Sequence, residues 1–387
     1  MARNFSYEGL SETIPVREAH KFDVGQFSDY IRAKIDGLDG PVNVVQMRAG
    51  QSNPTYLIKY REREWVLRKK PPGDLLPSAH AVEREYRVQA ALADTDVPVA
   101  QMLHLCEDTD VIGTPFYVME RMVGRVFHVN SVPDVTPQER SQIWDAMNDV
   151  LARLHRIDWN ACGLGNFGKP GNYFTRQVAR WGKQWHLSKQ SDIPEMERLI
   201  EWLNSHVPED DESSLVHGDF RLGNMMFHAE RPEVIAIFDW ELSTLGHPLS
   251  DLAYNVMPFY MAPEEFNGLK GLELESIGIP DPEDYVHRYC ERTGRQPFDL
   301  TFYMVFSLFR MAAIAEGIMA RAAGGNASSS NALEVGVMTG RYAERAWGLL
   351  ETKGLVLLVI NAEQRNPSSS LLYTPAKKKG PSEGLHK

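Results

Sequence analysis

The stretch Leu215–Phe227, LVHGDFRLGNMMF, holds the side chains best suited to chemistry. Apolar residues open and close it, which reads as strand, loop, strand. Between them lie His217, Asp219 and Asn224, with Arg221 and Gly223 in a segment too polar to be core. A second short apolar run, Val234–Phe238, ends in Asp239-Trp240-Glu241. A carboxylate, an amide and then a carboxylate at a strand end suit phosphoryl transfer to a hydroxyl. The first carboxylate, Asp219, would orient the attacking hydroxyl and accept its proton. Asn224 and Asp239 would hold magnesium against the phosphates of a nucleotide such as ATP. Asp, Asn and Gly also cap ordinary hairpins. The spacing and strand context of the whole group favour a site over a set of turn residues.

These loops need a framework to position them, and the chain is long enough to supply one. Its 387 residues exceed one average domain and fit two lobes sharing a cleft. Apolar residues make up 43%, enough for a substantial core. The net charge of -11 argues against general nucleic-acid binding. Cys106, Cys162 and Cys290 are scattered and odd in number, so a disulfide framework or zinc site is not expected. The opening residues MARNFSYEGLSE lack the apolar core of a signal peptide. Leu355–Ile360 is too short to span a bilayer. A cytoplasmic protein without membrane attachment is the expectation.

The first third of the chain reads as strand-rich. A helical pattern over Val24–Ile35 precedes strands at Val42–Met47, Tyr56–Tyr60 and Trp65–Arg68. The polar loop between the first two contains Ser52, Asn53 and Thr55, and small residues there permit close approach to phosphates. A helix is expected over about Ala79–Leu92. Val97–Leu105 and Phe116–Met119 read as further strands, the second passing into Glu120-Arg121-Met122-Val123-Gly124. Beyond it the pattern turns helical, at 138–157, 172–189, 195–205, 249–257, 286–293, 300–323 and 331–351. GGNASSS, 324–330, reads as a flexible link. The Ser-, Pro- and Lys-rich tail, 366–387, is expected to be disordered. The expected fold is therefore α+β: an antiparallel-sheet lobe over 1–122 and a helical catalytic and substrate lobe over 123–365.

HGDFRLGN followed by IFDWE resembles the aminoglycoside phosphotransferase and choline kinase branch of the protein-kinase-like fold, over about residues 25–350. That family carries H-G-D-x-x-x-x-N and usually I-D-W-E; here Phe238 replaces the isoleucine. The resemblance implies that Asp219 is the catalytic base and that Asn224 and Asp239 are magnesium ligands. It makes Asp251, in Leu249-Ser250-Asp251-Leu252-Ala253, a buttress of the catalytic loop. Arg68 stands where kinases place the phosphate-binding lysine of their third strand, although strand period alone does not separate Arg68 from Lys70. Glu83 and Glu85 are both available to pair with that cation, and Glu85 is the expected partner. By the same analogy the Glu120 carbonyl and the Met122 N–H face adenine.

VLRKKPPGDLLPSAHAVEREYRV looks most like the kinase-like domain fused to some acyl-CoA dehydrogenases. That implies ATP-dependent phosphorylation of a small-molecule hydroxyl, with a hydroxyacyl-CoA as one acceptor. A basic, Trp-bearing helix offers Arg176 and Arg180 to such an anionic acceptor; a solvated helix face is the plainer reading. Alternatives are an aminoglycoside or other small-alcohol kinase, and a nucleotide-binding pseudokinase. A protein kinase is disfavoured, because no A-P-E segment follows Asp239.

Overall fold

The computed structural model describes residues 13–48, 53–71, 80–323 and 335–351. Its amino-terminal part is an antiparallel sheet of six strands in the order β1-β2-β3-β4-β6-β5. The strands are Thr13–Ile14, Asn43–Met47, Thr55–Tyr60, Arg63–Lys69, Met102–Cys106 and Phe116–Glu120, numbered in that sequence. Alternation sorts their side chains to two faces. Trp65 and Leu67 of β4, with Phe116 and Val118 of β6, pack beneath Phe27 and Ile31 of helix α1, Val24–Arg32. Asp23 caps that helix by accepting from the Gln26 amide at 2.9 Å. Each apolar side chain fully buried there contributes about 1.5–3 kcal/mol. Val66, Tyr117 and Met119 face the other way, against Val82 of helix α2, Val82–Leu92. Arg68 shares the parity of Val66 and so lies on this second face.

The rest is largely helical: α3 Pro137–Arg156, α4 Tyr173–Ser188, α5 Pro194–Ser205, α6 Leu249–Val256, α7 Pro282–Thr293, α8 Thr301–Ala323 and α9 Met338–Glu351. The expected two-lobed α+β architecture is thus what the chain adopts. Thr136 caps α3 and Pro137 occupies its first turn, where a missing N–H costs nothing. Among the described residues α8 is the one helix long and apolar enough to cross a membrane, and 78% of that apolar window is buried inside the protein. Two short antiparallel ladders lie among the helices: β7 Ser214–Val216 with β10 Thr244–Gly246, and β8 Met225–Phe227 with β9 Val234–Ile237.

Two arginines in the first half of helix α2 tie it to the helical part of the chain. The Arg84 guanidinium lies 4.1 Å from the Phe167 ring and donates to the carbonyls of Phe167 at 2.8 Å and Ser243 at 3.2 Å. Arg87 donates to the Gly163 carbonyl at 3.0 Å.

Several expected elements differ in extent, among them the helix expected over Val24–Ile35, which ends at Arg32, and the one expected over 286–293, which starts at Pro282. The strand expected over Val97–Leu105 is confined to Met102–Cys106. Pro98 has no N–H to give a ladder, and its carbonyl instead accepts from Ile237 at 3.0 Å, joining this segment to β9. The last helix, expected over 331–351, has a turn at Val337 ahead of Met338–Glu351, and residues 331–334 lie outside the described residues. Ser52, the 324–330 link and the 366–387 tail lie outside the described residues.

Candidate active site

Strand β7 delivers His217, Gly218 and Asp219 to the head of the cleft, and its pairing with β10 fixes where they emerge. Asp251, at the start of α6 and 1% exposed, accepts from the backbone amides of His217 at 2.6 Å and Gly218 at 2.8 Å. Its carboxyl is held below the usual range: burial opposes this, but His155 and the His217 amide favour the anion. His217 is buried with both ring nitrogens engaged. Nδ1 accepts from the Asp219 amide at 3.2 Å and Nε2 donates to the Phe238 carbonyl at 2.8 Å. It therefore links the catalytic loop to the strand that ends in Asp239. Gly218 has φ +84°, and a Cβ there would come within 2.8 Å of the Leu242 carbonyl oxygen. Only glycine fits that turn.

Both oxygens of Asp219 are anchored. Oδ1 accepts from the Tyr254 hydroxyl at 2.6 Å, and Oδ2 from Asn224 Nδ2 at 2.7 Å, with Arg221 Nε at 3.3 Å. Asn224 Nδ2 also donates to the Asp219 carbonyl at 2.8 Å. This leaves the amide oxygen of Asn224 as its remaining polar atom. Asp239 follows β9 in the left-handed region, φ 65°, a conformation that costs a non-glycine residue about 1–2 kcal/mol. There its Oδ1 meets Arg68 Nη2 at 3.0 Å.

Arg68 also reaches Glu85 of α2, Nε to Oε2 at 2.9 Å. Glu85, 1% exposed, accepts further from Asn53 Nδ2 at 2.6 Å and the Tyr117 hydroxyl at 3.1 Å. Burial still pushes its carboxyl upward, against the pull of Arg68. Lys70 points elsewhere and pairs with Glu83 at 3.0 Å. Asn53 and Thr55 secure the base of the first loop: His80 Nδ1 donates to Asn53 Oδ1 at 3.1 Å, and the Thr55 hydroxyl to the Asn53 carbonyl at 3.0 Å. Glu120 pairs with Trp65 in the sheet, and its amide donates to the Gln101 carbonyl at 2.9 Å. Met122 packs with Phe238 against the apolar patch of Val66, Ala100 and Met119, beside Arg68.

Of the two basic residues expected on α4, Arg176 is engaged by the backbone. It donates to the carbonyls of Gly171 and of Lys169, the latter at 2.6 Å. Arg180 is exposed and lies 5.3 Å from the Trp181 ring.

Sequence reasoning missed Tyr254, Glu241 and Arg310. Tyr254 stands three residues after Asp251, on the same face of α6, so the helical period carried a signal. Glu241 adjoins Asp239, and its carboxyl is pushed up to about 7 by burial and by the Asp239 charge. Arg310 is a lone cation in the apolar first half of α8.

Asn224 and Asp239 offer hard oxygen donors, and the raised carboxyl of Glu241 beside them marks a surplus of negative charge. A divalent cation such as magnesium fits that donor set. A second group, Asp210, Glu212 and His247, brings ligand atoms within 4.8 Å of one another. It lies at the other end of the β7–β10 ladder, and Arg295 holds Glu212 with two bonds of 2.6 and 2.8 Å.

A small antiparallel sheet and a helical lobe, meeting at an Asp–Asn–Asp constellation, define a kinase-like phosphotransferase. The chain belongs to the phosphotransferase enzyme family, whose model matches residues 43–288. It is 46% identical to mouse acyl-CoA dehydrogenase family member 10 over 351 residues, covering 89% of this chain and 33% of that protein. It is 41% identical to human acyl-CoA dehydrogenase family member 11 over 331 residues, covering 84% and 42%. The chain thus spans a third to somewhat under a half of these two relatives. Among solved structures, a candidate aminoglycoside phosphotransferase from Ralstonia eutropha JMP134 matches with TM-score 0.80 and 46% identity, covering 86% of this chain and 99% of that one. A thermostable mutant of aminoglycoside phosphotransferase APH(4)-Ia shares the fold, with TM-score 0.56 at 15% identity. The family and fold make this chain an enzyme of the ATP-dependent phosphotransferase type.

Proposed function

We propose that the protein transfers the γ-phosphoryl group of ATP to the hydroxyl of a small molecule, with a hydroxyacyl-CoA as the acceptor. The observation that carries this is the anchoring of Asp219 between Tyr254 and Asn224, facing the chain Glu85–Arg68–Asp239 across the cleft. Asp219 orients the acceptor hydroxyl and takes its proton as the oxygen attacks phosphorus. Arg68, aligned by Glu85, neutralises phosphate charge. Asn224 and Asp239 would hold magnesium, which supplies charge neutralisation at the phosphates. Asn53 and Thr55, together with Ser52, which lies outside the described residues, would supply the loop over the phosphates. The Glu120 carbonyl and Met122 amide border adenine over the apolar patch.

In this reading residues 1–122 form the nucleotide lobe, 123–365 the catalytic and substrate lobe, and 366–387 a tail. The names of the acyl-CoA dehydrogenase relatives support an acyl-CoA acceptor. On the acceptor side, Arg180 has the better claim, since Arg176 is occupied by backbone carbonyls. Three free cysteines among the described residues suit the reducing cytoplasm, where ATP is at hand.

The test is ADP release with 4-hydroxyacyl-CoA, the free hydroxy acid and kanamycin, for the natural protein and Asp219→Asn. Thioester-dependent release that falls about 10²–10⁴-fold in Asp219→Asn is expected. Strong turnover of kanamycin alone would sink the acyl-CoA reading, and undiminished turnover by Asp219→Asn would sink the assignment of the base.

A further inference from the structure

Helix α8 carries an arginine where its neighbours are apolar. Arg310 is 8% exposed, and its Nη2 donates to the carbonyl of Gly218, the residue before Asp219, at 2.6 Å. The buried Nε has no hydrogen-bond partner. The guanidinium stands 5.7 Å from the Trp181 ring and 5.8 Å from the Tyr254 ring. Trp181 belongs to α4, which packs along α8, and its indole Nε1 is also buried and without a partner. Two buried donors on facing helices, with the guanidinium 5.7 Å from the indole ring, thus have nothing to receive their hydrogens. Native interiors rarely leave such groups unmet.

The place is informative. Tyr254 separates this pair from Asp219: its ring flanks Arg310 and its hydroxyl holds Asp219 Oδ1. Arg180 stacks on the Trp181 ring, adding a second cation. On the same helix Glu316 accepts from the Gln190 amide through Oε1 at 2.5 Å, beyond the end of α4, and its Oε2 is buried without a partner. The surroundings of the reacting hydroxyl are therefore rich in donors and cations on this side.

We propose that Arg310 and Trp181 form an acceptor subsite that binds a carbonyl or carboxylate oxygen of the molecule whose hydroxyl lies at Asp219. The proposal rests on the phosphotransferase reading above and adds a specificity rule to it. The acceptor is a hydroxy acid or its ester or thioester. Simple alcohols and polycationic amino sugars are rejected, the former for leaving the donors unmet and the latter for their charge. Arg310 and Trp181 act as binding and positioning residues and take no part in proton transfer.

The experiment compares 4-hydroxypentanoyl-CoA, 4-hydroxypentanoate and 1,4-pentanediol, which present the same secondary hydroxyl. Product formation and ATP binding are measured for the natural protein, Trp181→Phe, Arg310→Lys and Arg310→Gln. Preference for an oxygen-bearing acceptor over the diol, in kcat/KM, is expected to be about 10- to 100-fold, as for hydrogen bonds to charged groups. It should shrink several-fold in Trp181→Phe and largely vanish in Arg310→Gln, chiefly through KM, with partial return in Arg310→Lys. The thioester and the free acid tell a carbonyl from a carboxylate ligand. Trp181→Phe preserves an aromatic packing shape, so it keeps the test valid where Arg310→Gln fails to fold.

Equal use of the diol, or an undiminished preference in both Trp181→Phe and a folded Arg310 variant, would mean that water fills the gap and would overturn the subsite. Suppose none of the three is phosphorylated although ATP binds. Indole fluorescence then decides: quenching by the acid or thioester that is lost in Trp181→Phe upholds the subsite while the transfer reading fails. Absence of that quenching overturns the subsite as well.

Discussion

The Tyr254 hydroxyl donates to Asp219 Oδ1 at 2.6 Å, so the aspartate is gripped from the side opposite Asn224. Tyr254 is buried, and its phenol is pushed well above its usual range by burial and by the Asp219 charge. It therefore stays a donor at any working pH. Replacing it with Phe leaves Asp219 a rotor with one anchor fewer. A fall in kcat of about tenfold is expected, the worth of one good hydrogen bond in positioning. The KM for ATP should stay within about twofold. Steady-state kinetics with ATP and acceptor varied separately check this; an unchanged kcat would mean that Tyr254 only fills space.

Arg68 lies on β4 and Lys70 just beyond its end, but only Arg68 meets Glu85 and Asp239. Arg68→Ala should weaken ATP by roughly 10- to 100-fold and adenosine far less, because the proposed phosphate contact is lost, while leaving Glu85 and Asp239 unpaired costs stability whichever ligand is bound. Lys70→Ala should change neither by more than about twofold. Calorimetric titration with ATP and adenosine reads both. Equal losses for the two ligands would point to misfolding instead of a lost phosphate contact.

That pair also shows how far the sequence could be read. The order of the candidate site residues was legible, because H-G-D-x-x-x-x-N and D-W-E keep fixed offsets along one chain. The two faces of the sheet followed from alternation, yet period two places Arg68 and Lys70 on the same face. Only the placement of α2 separates them. Tyr254 was half legible, through its helical offset from Asp251. Arg310 was not, because its meaning depends on α8 lying against the catalytic loop, ninety residues away in sequence. Val97–Leu105 was misjudged in extent because its apolar composition hid the effect of Pro98.

Asp251 stabilises the catalytic loop as a buried anion, accepting two backbone amides with His155 Nε2 at 3.5 Å. Asp251→Asn should cost about 2–4 kcal/mol at pH 7 by leaving one of those donors poorly met. Because the carboxyl is held below its ordinary value in the folded protein, its contribution is present above the unfolded value near 3.8 and is lost as pH falls through the folded one. The stability gap between the natural protein and the variant should therefore be constant at neutral pH and narrow below about pH 4. Denaturant melts at several pH values measure it. A gap that widens in acid would contradict the assignment.

Gly218→Ala adds a single methyl group against the Leu242 carbonyl, at a φ that alanine disfavours. A loss of about 2–4 kcal/mol is expected, from crowding together with left-handed strain. Turnover should fall further than stability accounts for, since the carbonyl held by Arg310 belongs to this residue. Gly113 has φ +84° with nothing within 4 Å of the place a methyl group would take, so Gly113→Ala is the matched control and should cost only the strain. Thermal melts of the two variants compare them.

The arginines that fasten α2 bear on how such an enzyme can be governed. Glu85 rides on that helix, and Arg84 and Arg87 clip it to the loop around Phe167 in the other lobe. Swinging the helix outward to disarm Arg68 would forfeit those clips together. The contacts that align Arg68 are thus shared between α2 and the Phe167 loop, and an outward swing of the helix would carry the cost of breaking them together.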